Sequence, residues 1–252
     1  MKKIIYSCYI SLLLFSACSK ETLDKIDTNP NVITDAPLNT ILPPTEMLVV
    51  QSVMRSLTVN SGFITEHTNF TGINTSTQFQ VGSASEGNWA SAFQAIHYFK
   101  TIREKADQQE RTGYSAVADI MSAYTLSLMV DAYGDIPYKE AGLESITQPH
   151  FDPAADLYKE MQSLLDAGIQ KCGTATAANS PGADDLILKG NMTLWKKTAW
   201  ALKARLQNRL SNTDAQGTAQ QAIVSVANAF AAGESFRIIS FQQEPLQSQT
   251  AS

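Results

Sequence analysis

Residues 113–138 read GYSAVADIMSAYTLSLMVDAYGDIPY, and this stretch decides the fold class. Val117, Ile120, Met121, Tyr124 and Leu128 recur at helical spacing and make one apolar stripe. Leu126, Met129 and Val130 lie off that stripe, so the segment is apolar almost all round. A helix of that kind is buried by its neighbours rather than laid on a surface. It is predicted to run from Gly113 to about Asp131. Gly134 offers a left-handed cap, and Pro137 blocks any continuation.

A buried helix needs others around it, and the flanking sequence supplies them. Met47, Val50, Met54 and Leu57 mark a helix over Pro43–Val59. Trp89, Phe93, Ile96 and Phe99 mark a second, ending near Asp107. Asp152-Pro153 reads as a capping acid followed by proline at the first helical position. Leu157, Met161, Leu164, Leu165 and Ile169 carry that helix to about Lys171. Residues 173–183 are small and polar and read as a loop. Trp195, Ala199, Leu202 and Leu206 share one face of the next helix, with Lys196, Lys197, Lys203 and Arg209 on the other as a solvated face. A last helix presents Ala219, Ala222, Ile223, Val226 and Phe230. About six helices and almost no period-two alternation define a mainly α chain, and such helix pairs stack as a solenoid. No internal repeat is visible, nor are the consensus residues of tetratricopeptide repeats.

The N-terminus follows a different logic. Lys2 and Lys3 precede an apolar run from Ile4 to Phe15, then Ser16, Ala17 and Cys18. A positive start, a short apolar run and small residues before a cleavage point form a secretory signal. About a dozen residues at ~1.5 Å each do not cross ~30 Å of hydrocarbon. Phe15-Ser-Ala-Cys18 resembles a lipobox, with Phe15 where leucine is usual, and assigns Cys18 as the site of lipid attachment. Several acyl chains, as bacterial lipoproteins carry, anchor firmly where one alone is marginal. The organisation expected is a signal peptide over 1–17, a lipidated tether over 18–36 and a helical domain over 37–252. Cys8 leaves with the signal and Cys18 carries lipid, so Cys172 remains as a lone packing cysteine.

Composition excludes several classes. Cleavage removes two lysines and no acid, taking the net charge from −5 to −7. An acidic chain is poorly suited to nucleic acid. His67, His97 and His150 have no metal-ligand spacing, and no P-loop, dinucleotide turn or Gly-x-Ser-x-Gly elbow is present, so neither a cofactor nor catalysis is expected. Asp131 and Asp135 form a possible carboxylate pair or calcium ligands, set against the reading preferred here, a helix cap and a turn acid. Residues 60–88 are rich in Ser, Thr, Asn, Gly and Gln and read as a long loop. Phe63, Phe70 and Phe79, with Asn69, Asn74, Gln78 and Gln80, are material for a sugar site, because one face of a pyranose is C–H and its rim is hydroxyl. Phe70, Phe79 and Trp89 are the ligand-binding candidates; the competing reading packs these rings under the loop. Trp195 and Trp200 are assigned to the core.

Three segments carry a family resemblance. Asp27-Thr-Asn-Pro-Asn31 resembles the start of SusD/RagB-type lipoproteins of Bacteroidetes. Asp131-Ala-Tyr-Gly-Asp-Ile-Pro-Tyr138 looks like that family's Gly-Asp-[Ile/Val]-Pro-[Tyr/Phe] segment. Asp184-Asp-Leu-Ile-Leu-Lys-Gly-Asn191 with Trp195-Lys-Lys197 looks like a third, with Gly190-Asn191 standing where the family has Gly-Asp. The resemblance implies tetratricopeptide-like helix pairs and a surface-exposed, lipid-anchored outer-membrane protein. It further implies a non-catalytic lid that captures glycans or other oligomeric nutrients over a SusC-type TonB-dependent transporter. It also implies a chain truncated to the family's N-terminal half. The competing readings are a helical-repeat interaction lipoprotein with no nutrient role and a non-functional truncated fragment.

Overall fold

The structure, a computed structural model, describes residues 36–67, 82–141 and 146–234. The described residues from Pro37 onward form one compact unit. Its helices are α1 (Leu38–Met47), α2 (Arg55–Ile64), α3 (Gly82–Gln108), α4 (Thr112–Tyr133), α5 (Ala154–Thr174), α6 (Met192–Arg209) and α7 (Ala215–Ala227). Among the described residues there is no strand, and one isolated antiparallel bridge pairs Ile136 with Asp152. From α3 to α7 each helix packs on the next, so the mainly α, paired-helix reading holds.

The apolar stretch that opened the sequence reading is the centre of the fold. Sixteen residues of α4 are buried, and these include Ser115, Asp119, Ser122, Thr125 and Ser127 among the apolar ones. Phe99 and Ile102 of α3 and Leu157, Met161 and Leu165 of α5 close on it from either side, all fully buried. Cys172 is buried here, and burial pushes its thiol up to about 12. It is a packing residue, as expected. Trp195 is buried, and Trp200 packs against the rim of the core.

Several expectations need correction. The first helix starts at Leu38, five residues before the predicted Pro43, and passes through a π-helical stretch, Leu48–Met54, into α2. Pro43 and Pro44 lie inside it, which sequence rules discourage because proline has no N–H to give the preceding turn. Buried Leu38, Leu42 and Val49 hold the segment by tertiary packing. The loop expected over 60–88 is shorter: α2 runs to Ile64 and α3 begins at Gly82. Gly134 takes φ +76 with ψ −123, a positive φ but not the left-handed helical cap.

The helix after Asp152 starts at Ala154, with Pro153 rather than Asp152 in the capping position. The Asp152 carboxylate instead accepts the Tyr138 and Lys139 N–H groups, each at 2.9 Å. The N–H of Ala154 is taken by Asp135, at 2.8 Å. The helix cap thus comes from another loop. Of the α6 cations expected as a solvated face, Lys196 is exposed and three others are paired. Lys197 pairs with Glu234, Lys203 with Asp166 and Arg209 with Asp131. On α7 the predicted apolar face is the outer one: Ile223 and Val226 are exposed, and buried Thr218 and Ser225 make the packed side. Small residues let α7 approach α6 closely, and the Ser225 hydroxyl donates to Gln207 Oε1 at 2.8 Å.

Candidate functional site

Aromatic rings from three parts of the chain meet at one end of α3. Trp89 lies on its first half, one turn before Phe93, and their ring centroids are 4.8 Å apart. Tyr133, the last residue of α4, meets the indole edge-on at 5.1 Å and 87°. Phe151, just ahead of α5, lies at 6.5 Å and 30° from the Trp89 plane. Phe151 is 63% exposed, which is unusual for a phenylalanine in a helical protein. Trp89 is half-buried. The cluster therefore has a supported base and an open face.

What holds Phe151 there is its neighbour. The Asp152 N–H donates to the Ile136 carbonyl at 2.9 Å, and Ile136 is fully buried. Burial raises the Asp152 pKa, but the two backbone N–H donors and the Lys139 ammonium outweigh it and hold this carboxyl below its usual range. A charged, twice-bonded anchor thus sits one residue from the exposed ring. The family-like segment over 134–138 is the other half of this clasp.

Of the ligand-binding candidates, Trp89 is in this cluster. Phe70 and Phe79 lie outside the described residues, as does Cys18. Phe63 is half-buried on α2. Sequence reasoning missed Phe151 and Tyr133. Phe151 stood unassigned before Asp152-Pro153, and an exposed ring beside a helix start is the one signal that pointed to it. Asp131 and Asp135 do not face each other as a reactive pair. Asp131 accepts from the Tyr158 hydroxyl at 3.2 Å and pairs with Arg209, whereas Asp135 caps α5. Among the described residues no His, Cys, Asp or Glu group is arranged to hold a metal ion.

Comparison with known proteins gives this geometry a context. A family model described as "Starch-binding associating with outer membrane" matches residues 30–243. The chain belongs to the SusD-like family. Among curated proteins none matches the sequence. The SusD-like fold is shared with a SusD/RagB family protein from Bacteroides thetaiotaomicron, at 20% identity and a TM-score of 0.67 over 78% of this chain and 43% of that one. A chitin-binding protein is similar at 22% identity and 0.64, over 77% of this chain and 44% of its own. A SusD homolog from Bacteroides fragilis follows at 18% and 0.60, over 77% and 41%. This SusD-like chain therefore covers 41% to 44% of these solved proteins.

Proposed function

We propose that this protein is a surface lipoprotein that captures glycans and passes them to a transporter without chemical change. The observation that carries the reading is the aromatic cluster, with Phe151 open to solvent against Trp89 and Trp89 backed by Tyr133 and Phe93. The exposed Phe151 ring offers an apolar face to the C–H face of a pyranose, and its solvent-exposed position leaves the sugar hydroxyls hydrated. Membership of a family described as starch-binding supports the sugar class, and the chitin-binding structural relative extends it to amino sugars. Lipid on Cys18 would hold the domain at the outer membrane. There it would cover the mouth of a SusC-type TonB-dependent barrel as a lid, with the barrel doing the transport. Among the described residues no helix is long and apolar enough to cross a membrane.

Binding to maltooligosaccharides and chitooligosaccharides tests the stack. Trp89→Ala and Phe151→Ala are each expected to weaken binding by about tenfold or more, the scale of an anchoring aromatic. Affinity unchanged in both variants would remove the stack from recognition. Because Phe151 is largely exposed, its substitution leaves the core intact and separates binding from folding.

A further inference from the structure

A cavity of about 230 Å³ opens beside the aromatic stack, and Phe93 belongs to both. It is smaller than most ligand sites, which run from about 300 Å³ upward, and suits one sugar unit rather than an oligomer. Its wall is cationic. Lys100 and Arg103 stand one turn apart on α3, on the face that carries Phe93 and His97. Lys139 comes from the loop that Asp152 clasps. Glu160 of α5 is the single carboxylate among the described lining residues. Among the described lining residues, three cations against one acid invert the balance of a chain whose net charge is −5.

The acids behind the wall are shared with another cation or lie at the edge of ion-pair range. Arg103 reaches Asp119 at 3.4 Å, but Asp119 is matched more closely by Lys171, at 2.6 Å. Lys139 lies 3.6 Å from Asp152 with its side chain 61% exposed. Each of these contacts uses part of a guanidinium with five N–H donors or an ammonium with three. Lys100 makes no ion pair with any described residue. Donors therefore remain for a further anion, and a planar carboxylate suits the guanidinium fork.

We propose that this cavity receives the carboxylate of a sugar unit held on the stack, so that the protein selects uronic-acid-containing glycans over neutral ones. The inference rests on the glycan reading of the stack and adds a charge to it. Phe93 joins the two parts, with its ring against Trp89 and its flank on the cationic wall.

Titration calorimetry of the full chain with trigalacturonate and with its methyl ester tests this, since the two differ in charge and share their stacking faces. The free acid is expected to bind at least about tenfold more tightly, as hydrogen bonds to a charged group do. Lys100→Gln combined with Lys139→Gln is expected to narrow that ratio to within about twofold. Equal affinity for acid and ester in the unmodified protein overturns the inference and leaves the stack as a neutral-sugar site. A ratio that survives the double substitution overturns it too, by moving the anion elsewhere. Failure of both trimers to bind also overturns it, and the Trp89→Ala comparison with neutral oligomers then decides separately whether the stack binds glycans at all.

Discussion

Asp185 is fully buried, and four N–H groups converge on it. The backbones of Ile187 and Leu188 donate to one oxygen at 2.9 Å each; Gly190 at 2.8 Å and the Trp195 indole at 2.6 Å donate to the other. The turn between residues 184 and 191 is thus folded around one carboxylate, which also fixes the tryptophan of α6. Gly190 has φ +71, and a Cβ there would lie 1.9 Å from the Pro181 carbonyl oxygen. Gly190→Ala is therefore expected to cost at least about 2 kcal/mol, combining positive-φ strain with a backbone clash, read as a lower urea midpoint. Beside this turn Glu46 is buried and accepts the Leu186 N–H at 2.8 Å. Burial, and then the charge of Asp185, push its carboxyl up to about 9. The folded protein keeps that proton when the unfolded chain, near its ordinary 4.5, has lost it. Raising pH across this window hence favours unfolding, and Glu46 contributes a fall in stability from about pH 4.5 to about 9. Glu46→Gln is expected to flatten that fall in Tm; an unchanged pH slope would assign it to other groups.

The middle three helices are tied by charge as well as by oil. Lys171 on α5 donates to Asp119 on α4 at 2.6 Å and to Ser115 at 2.7 Å. Arg103 on α3 reaches the other Asp119 oxygen at 3.4 Å. Burial raises the Asp119 carboxyl above its usual range despite both cations. Such a network gives specificity of register more than net stability, and breaking one side leaves a buried charge. Lys171→Met is expected to destabilise the fold by about 3 kcal/mol, whereas Lys171→Met with Asp119→Leu recovers most of it. Chemical denaturation of the two variants checks this, and a double variant as weak as the single one would refute it. The α3 and α4 helices were legible because their apolar residues repeat at helical spacing. Asp119 was not, since one acid inside an apolar run announces neither its burial nor its partners. On α7 periodicity misled: Ile223 and Val226 made an obvious stripe, yet Thr218, Ala222 and Ser225 face α6 because small side chains allow a closer approach.

At the scale of the whole molecule the matter is placement. The chain covers 43% and 44% of two solved relatives. Cys18→Ser is expected to move the protein from the membrane to the soluble fraction, because it removes the lipid that the proposed function makes the anchor. Retention in the membrane after that change would remove the lipid from the account. Mild-detergent purification of the unmodified protein is expected to bring down a TonB-dependent barrel; a folded protein recovered alone would favour a solitary binder.

The residues by themselves determined that this is a mainly α protein, where its buried central helix lies, and which short segments mark its family. Those signals are local, since periodicity, turn residues and motifs are complete within a few turns of chain. Only the tertiary structure decided what the segments do. It turned Asp152 from an expected helix cap into the clasp of the Tyr138 loop and gave the cap to Asp135. It brought Tyr133 and Phe151 to Trp89, and Lys139 to Lys100 and Arg103. Distant side chains converge only when helices pack, and packing is set by the sizes and charges of all the facing residues together, which no single stretch of sequence contains.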